Sequence, residues 1–420
     1  MAESSRPETV DVLVVGGGPS GLAAASACRE LGIGNVLLVE REVEAGGIAR
    51  HSHHTGYGLR DLRRMMAGPA YAQAWRSRAI ESGVDVRTEC TVTELDVDDG
   101  PRRVWVTAPT GRRAIDAGAV VLATGCRERP RSARLIPGDR AAGVYTTGTL
   151  QQLAHVEHIR PGTRAVVVGA EHVSYSAVVT LEQAGCDVVA MVTEQPRATT
   201  FGAFHRAAGV RWRFPLHTDS SVTQISGRPR VTSVDVTGRS TGRTTTIACD
   251  TVVLTGDWVA DHELATRAGV AMNAAATGPR VDTAQRTSAP GVFAIGNLTH
   301  PAETADVCAL DGRAVAGGVQ SWLDGGWWPS DGVDVIVFDP LTWVSPSFVT
   351  DATTPPRGRL VLRANAFRRA PRVQVTQADR MLWSGRVPWL VPTRPAYVPT
   401  PWLRDLDRAP GGAPVWITVR

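Results

Sequence analysis

VDVLVVGGGPSGLAAASACRELGIGNVLLVE, residues 10–40, is the stretch that decides the fold. VDVLVV (10–15) is an almost unbroken apolar run rich in valine, as a parallel strand covered on both faces requires. Small residues at helical spacing follow, and NVLLVE (35–40) reads as a second buried strand that ends in an acid. Between the first strand and the helix stands Gly16-x-Gly18-x-x-Gly21. Gly16 permits the tight turn, Gly18 lets backbone approach a diphosphate, and Gly21 lets helix and strand pack closely. Pro19 and Ser20 open a helix whose free N–H groups and partial positive charge face the phosphates. Glu40, with Arg41 beside it, lies where a carboxylate can hold ribose hydroxyls. In this strand–turn–helix–strand–acid context the glycines predict dinucleotide binding and not merely a structural turn.

Outward from this unit, AVVLATG (119–125) reads as a further buried strand, ending near Thr124 and Gly125. After Pro161-Gly162 the pattern restarts: RAVVVGAEHVSYSAVVTLEQAGCDVVAMVTE (164–194) is again strand, turn, helix, strand and acid. GVFAIGN (291–297) is expected to return to the first sheet, followed by a helix over 303–323. The fold class is therefore α/β, a Rossmann-like domain (1–155 and 285–326) carrying an inserted second one (156–284). Residues 327–420 are expected to form a small β-rich domain, with eight of the twelve tryptophans at 322 or later and short alternating stretches such as RVQVTQ.

Composition narrows the chemistry. The 420 residues contain 45 Lys+Arg against 41 Asp+Glu, every one of the 45 an arginine, and no basic block, so nucleic acid is not expected as a partner. Without lysine, Schiff-base, pyridoxal and P-loop chemistry are excluded. Six scattered cysteines, with no CxxC, argue against zinc or iron–sulfur ligation and suggest reduced thiols in a cytoplasmic protein. No apolar run approaches membrane-spanning length and no signal-peptide pattern opens the chain, so no membrane contact is expected.

Two further segments favour FAD. Glu44-Ala45-Gly46-Gly47-Ile48 suits a loop lying against a cofactor, and GVFAIGNLTHPAETA (291–305) reads as strand, turn and helix start. Together with the opening turn and Thr124-Gly125, they make residues 10–323 resemble the flavoproteins with two dinucleotide-binding domains, the pyridine nucleotide-disulfide oxidoreductase superfamily. That resemblance implies FAD held by the opening turn, Glu40, Gly46, Gly47 and Ile48. It also implies contacts from Gly296 and Asn297, where the family usually has Gly-Asp, and a helix beginning near Thr304 and Ala305 that aims its N-terminus at the flavin.

The same resemblance shows two losses. Thr147 and Leu150 stand where thioredoxin reductases carry redox cysteines, and residues 41–60 lack the pair of the glutathione-reductase type, so disulfide reduction is not expected. In the inserted domain the fingerprint is Gly169-Ala170-Glu171-His172-Val173-Ser174. A carboxylate about 4 Å from a phosphate costs roughly 1–4 kcal/mol. NAD(P) binding there is doubtful, although Glu194 ends the second strand as a ribose-binding acid would and Glu171 could swing away.

RHSHHTGYGLRD (50–61) supplies His51, His53 and His54 as candidates for proton transfer, or else a hydrogen-bonded loop. Cys308 reads as a buried thiol, and Arg127, Arg129, Arg131 and Arg134 as an anion site or a solvated loop. No metal is expected. GCRERPRSARLIPGDRAAGVYTTGTLQ and GGIARHSHHTGYGLRDL resemble the FAD/NAD-type subunits of heteromeric opine and hydroxyproline dehydrogenases, of cyanide synthase and of sarcosine oxidase (its α chain). This implies an FAD-dependent oxidoreductase acting on a small amine or amino-acid-like substrate. Electrons would pass to a partner subunit carrying iron–sulfur or a second flavin, since this chain has no cysteine cluster. An NAD(P)H-dependent flavin reductase or monooxygenase, and an electron-relay subunit, are the alternatives.

Overall fold

The valine-rich run becomes the centre of a sheet. The computed structural model describes residues 7–97, 100–409 and 411–420. Along the chain come β1 (Glu8–Val15), α1 (Pro19–Glu30), β2 (Val36–Val39), α2 (Gly68–Glu81), β3 (Asp85–Arg87), β4 (Thr91–Asp96), β5 (Arg102–Ala108) and β6 (Gly111–Leu122). The sheet order is β3-β2-β1-β6-β5-β4, parallel through β6 and antiparallel from there to β4. Val12, Leu13 and Val14 have no exposed surface. Each such side chain contributes about 1.5–3 kcal/mol through the area taken out of water.

The second parallel sheet comes from the repeat. Its elements are β7 (Val144–Thr146), α3 (Thr147–His155), β8 (Arg164–Val168), α4 (His172–Gln183), β9 (Asp187–Val192) and β10 (Leu216–His217). An antiparallel trio follows, β11 (Ser220–Ser226), β12 (Ser233–Gly238) and β13 (Thr244–Ala248), and then β14 (Thr251–Leu254). The parallel order is β7-β14-β8-β9-β10.

The return to the first sheet is made by β15 (Val292–Ala294), which pairs in parallel with β6, Val292 opposite Val120. The helix after it, α5 (Ala305–Leu323), packs along α1, where a Cβ on Gly312 would overlap the Ser20 carbonyl oxygen. The C-terminal strands are β16 (Val333–Val337), β17 (Leu341–Ser345), β18 (Phe348–Val349), β19 (Arg359–Ala364), β20 (Arg372–Gln377), β21 (Arg380–Arg386), β22 (Ala396–Pro399) and β23 (Val415–Val419). They form sheets β18-β16-β23-β20-β21 and β17-β19-β22 over a core that includes Leu360, Leu362, Val373, Trp402 and Ile417.

By compactness the chain divides into two units. One holds Met1–Arg50, Thr55–Cys126 and Ala260–Arg420; the other holds His51–His54 and Arg127–Val259. The inserted unit thus starts and ends earlier than residues 156 and 284. The reasons are local: Val144 pairs with Val252 in its sheet, whereas Val270 and Val281 pack in the first unit's core with Val10 and Leu13. The C-terminal strands, despite their own core, count with the first unit, tied by Thr350 and Asp351 to Asp282 and Arg286.

Candidate active site

The opening turn has the geometry its glycines imply. Gly16 sits at φ +105°, and a Cβ there would lie 2.6 Å from the Ala123 carbonyl oxygen. On Gly21 a Cβ would collide with the Gly16 carbonyl, so helix and strand touch backbone to backbone. Around Gly18 there is open space: a Cβ there meets nothing within 4 Å. Gly18 is also the N-cap of α1, Pro19 begins the helix, and no side chain caps it. The donors at this end therefore face outward, as a diphosphate requires. Glu40 is buried and accepts from Gly17 N at 2.7 Å and Glu42 N at 2.9 Å, which fixes its carboxylate at the rim of the turn.

The paired glycines reach the same place. Gly46 N donates to the Gly17 carbonyl at 2.7 Å, and a Cβ on Gly47 would fall 3.0 Å from Gly18 Cα. Ile48 is half exposed beside them. Thr124 Oγ1 donates to the Asp261 carbonyl at 2.8 Å, while Asp261 N donates to Gly125 O at 2.9 Å. Asp261 also lies 3.6 Å from the Arg41 guanidinium. Gly296 packs on Ser20, whose Oγ would be 2.8 Å from a Cβ there.

Asn297 uses its amide on its own loop. Its Oδ1 accepts from Glu303 N at 2.6 Å and its Nδ2 donates to Glu303 O at 3.1 Å. Thr304 is the N-cap of α5, ahead of Ala305, and its hydroxyl donates to Asp306. Asp306 is buried in the first turn of α5 and paired with Arg60 Nη1 at 3.0 Å. The residues read as FAD-binding in the opening turn, the paired-glycine loop and the α5 end thus all lie in the first unit. An open cradle, a helix end without a cap and a fixed acid fit a flavin dinucleotide.

Residues at 300–311 add a buried group that sequence reading missed. His300 Nε2 and Asp311 Oδ2 are 2.7 Å apart, Arg357 Nε is 3.5 Å from Asp311, Tyr397 donates to Glu303 at 3.2 Å, and Arg363 donates to Pro301 O at 3.1 Å. Burial pulls His300 down, but the Asp311 carboxylate outweighs it and holds the imidazole above its ordinary pKa. Burial pushes Glu303 up. Arg357 comes from a short helical turn at Pro356–Gly358 and Arg363 from β19, both distant in sequence, so no local spacing announces the group. Cys308 is buried and its thiol is pushed up by burial, an inert core residue. All six cysteines are free, and burial takes Cys28 to about 12 and Cys186 and Cys249 to about 11. Thiols so weakly acidic are poor nucleophiles.

The inserted unit repeats the turn with a different outcome. Glu171 is the N-cap of α4 and forms a capping box with Ser174, whose Oγ accepts from Glu171 N at 3.2 Å. The Glu171 carboxylate accepts from Ala170 N at 3.0 Å and from Thr255 Oγ1 at 2.7 Å. A Cβ on Gly169 would lie 2.7 Å from its Oε1. Glu128, buried, accepts from Gly256 N and Gly148 N, each at 3.1 Å. Burial pushes Glu128 to about 7, helped by Glu171 and opposed by hydrogen bonds from Thr147, Gly148 and Gly256. Glu194 is exposed and 3.6 Å from Arg239.

His51, His53 and His54 belong to this second unit, and the flavin-type residues to the first. The His53 ring stacks on His155 at 4.1 Å, and Ser52 donates to Gln151 at 3.1 Å. Burial, then the imidazoles of His53 and His158, pull His155 down to about 4. Arg131 and Arg134 donate to backbone carbonyls, Arg134 to those of Arg129, Thr255 and Gly256, and Arg129 is 3.4 Å from Asp257. These guanidiniums hold loops together. Among the described residues no cluster of three or more His, Cys, Asp or Glu could hold a metal, and no helix is long and apolar enough to cross a membrane.

An open dinucleotide turn with its acid and a paired-glycine loop packed on it are the features of a flavin-dependent oxidoreductase. The chain belongs to the pyridine nucleotide-disulphide oxidoreductase family, whose model matches residues 10–313. It is 32% identical over 196 residues to an opine oxidase subunit of Agrobacterium tumefaciens (strain Ach5), covering 44% of this chain and 37% of that protein. It is 27% identical over 261 residues to the alpha subunit of sarcosine oxidase from Rhizobium meliloti (strain 1021), covering 59% of this chain and 24% of that one. The chain thus spans well under half the length of either relative. Thioredoxin reductase of T. acidophilum has the same fold, with a TM-score of 0.64 and 20% identity over 76% of this chain and 99% of that one. L-proline dehydrogenase from P. horikoshii aligns with a TM-score of 0.57 and 18% identity over 77% of this chain and 58% of that one.

Proposed function

We propose that this chain is the FAD-binding subunit of a dehydrogenase for a small amine or amino-acid-like substrate, and that its electrons leave to a partner subunit. The observation that carries the reading is the pair of turns: one open toward a dinucleotide, the other filled by Glu171. The absence of cysteine at Thr147 and Leu150, and the high pKa of the buried thiols, argue against a dithiol as acceptor. Similarity to proteins named as oxidase subunits favours a partner, one carrying iron–sulfur or a second flavin.

When bound, FAD would accept a hydride equivalent from the carbon bearing the amine. The protein's own part is positioning. The α1 N-terminus at Gly18–Ser20 would hold the diphosphate, and Glu40 the ribose hydroxyls. Gly47 would close over the turn, and Arg60, fixed by Asp306, would set the charge beside the α5 end. NAD(P)H has no part in this scheme, and neither a metal nor nucleic acid is required.

The test is the spectrum of the purified protein followed by anaerobic titration. A flavin spectrum that bleaches with a member of a panel of secondary amines and amino acids, but not with micromolar NADH or NADPH, is the expected result. Rapid bleaching by either nicotinamide would overturn it. Co-expression with neighbouring genes should raise turnover if the acceptor is a partner subunit.

A further inference from the structure

We infer that Glu171 is a built-in occupant of the inserted unit's dinucleotide site: its carboxylate takes the place of a ligand diphosphate and is the residue that excludes nicotinamide dinucleotides. The inference deepens the reading of the flavin as blind to NAD(P)H and rests on it. It is carried by occupancy, which is a different matter from repulsion. In a working site of this fold, the backbone donors at the helix N-terminus meet phosphate oxygens. Here the Glu171 carboxylate already takes Ala170 N and, through the capping box, Ser174 N.

Four observations converge within the inserted unit. Ala170 N donates to the Glu171 carboxylate at 3.0 Å, and the Ser174 backbone closes the capping box on the same side chain. Thr255 Oγ1, at the end of β14, donates to its other oxygen at 2.7 Å. Space is also taken. A Cβ on Gly169 would lie 2.7 Å from Oε1, and one on Gly256 would collide with it. The next donor along the rim, Gly256 N, is held at 3.1 Å by a second carboxylate, that of the buried Glu128. Ser174 Oγ and Thr255 Oγ1, 2.7 Å apart, fasten the arrangement. A diphosphate entering this turn would have to displace one carboxylate from three donors and lie beside another. An intramolecular occupant is always present at high effective concentration, so a micromolar ligand competes poorly.

The same contacts give the carboxylate a structural purpose. A helix N-terminus left without ligand and without cap is a cost to the fold, and an N-cap side chain removes it. Glu171 lets the unit keep its architecture with no nucleotide bound.

The test separates occupancy from charge. Full-length, flavin-loaded protein is titrated with ADP-ribose and with NADH by calorimetry, and its thermal shift with each is recorded. The wild type should show no binding up to millimolar ligand. Glu171→Gly removes both the charge and the atoms and should bind ADP-ribose at least about tenfold more tightly than the wild type, because the donors and the space are freed together. Glu171→Gln keeps the side chain in place without its charge and should remain close to the wild type. If Glu171→Gly proves unstable, Glu171→Ala opens the same space and carries the same expectation. Micromolar binding to the wild type, a folded Glu171→Gly that gains nothing, or a Glu171→Gln that binds as well as Glu171→Gly would each overturn the inference. Binding is read without turnover, so the result stands apart from whether any amine reduces the flavin.

Discussion

The two nucleotide-type turns of this chain share a backbone and differ in who supplies the negative charge. At the first, α1 begins at Gly18 with no side-chain cap and with open space in front of it. At the second, α4 begins at Glu171, which caps the helix with its own carboxylate. Helix termini leave four N–H groups unsatisfied, so some acceptor must come. In the first turn the helix end is left to solvent or a ligand, and in the second a side chain of the chain itself supplies the acceptor. The two turns part at a single position, that of the second glycine, where one has Gly18 and the other Glu171.

The largest effect is expected from Gly21→Val. Its side chain would have to occupy the Gly16 carbonyl, so β1 and α1 must separate. A cost of about 3 kcal/mol or more is expected, in the range of severe core overpacking, with loss of the flavin absorbance from the purified protein. Retention of flavin would mean that the close packing of strand and helix is not what shapes the site. Gly18→Glu sharpens the contrast further, because it copies the second turn into the first. A Cβ at Gly18 meets nothing within 4 Å, so the fold should survive. FAD affinity should fall by about 1–4 kcal/mol, measured by titrating apoprotein. Unchanged affinity would break the parallel between the turns.

Much of this was legible in residues 10–40 and in their echo at 164–194, because buried parallel strands and glycine turns are local patterns. Glu171 was recognisable as a misfit, but a linear reading gave only its charge. That it would bond to Thr255 depends on β14, which brings in a hydroxyl from 84 positions further along the chain. A signal was present in VVLTG (252–256), which parallels VVLATG (120–125) and marks the second strand that closes a turn. The histidines mark the opposite limit of a linear reading. Their position just after the paired glycines suggested the flavin, yet His51–His54 fall in the inserted unit, where His53 finds His155 from α3. Sequence adjacency carries no information about a tertiary partner so far along the chain.

Glu128 extends the contrast to pH. Its folded pKa is raised to about 7 from an ordinary 4.5, chiefly by burial. Between those values the folded state binds more protons than the unfolded chain, so stability falls as pH rises through this window. The full difference is on the order of 3 kcal/mol, complete above the folded value. Glu128→Gln should flatten this part of the profile, and its advantage over the wild type should grow from pH 5 to pH 8 in urea denaturation. The variant keeps an oxygen to accept from one of Gly148 N and Gly256 N. A profile unchanged by the substitution would place the carboxylate in a wetter setting than its 6% exposure implies.

The smallest effect concerns the strand end where the family usually has aspartate. Asn297 both accepts from Glu303 N and donates to Glu303 O, and only an amide can do both. Asn297→Asp keeps the first bond and turns the second into two oxygens facing each other, next to a Glu303 carboxyl already raised by burial. A loss of about 1–3 kcal/mol in unfolding free energy is expected, the usual cost of a buried acceptor left without its donor. Flavin content should change little, since the amide is engaged with its own loop. The opposite pattern, stability intact and flavin binding altered, would mean that Asn297 turns toward the ligand as aspartate does in its relatives. The first turn's open cradle would then be completed by the side chain of Asn297, and not by the backbone of a loop that this residue holds in shape.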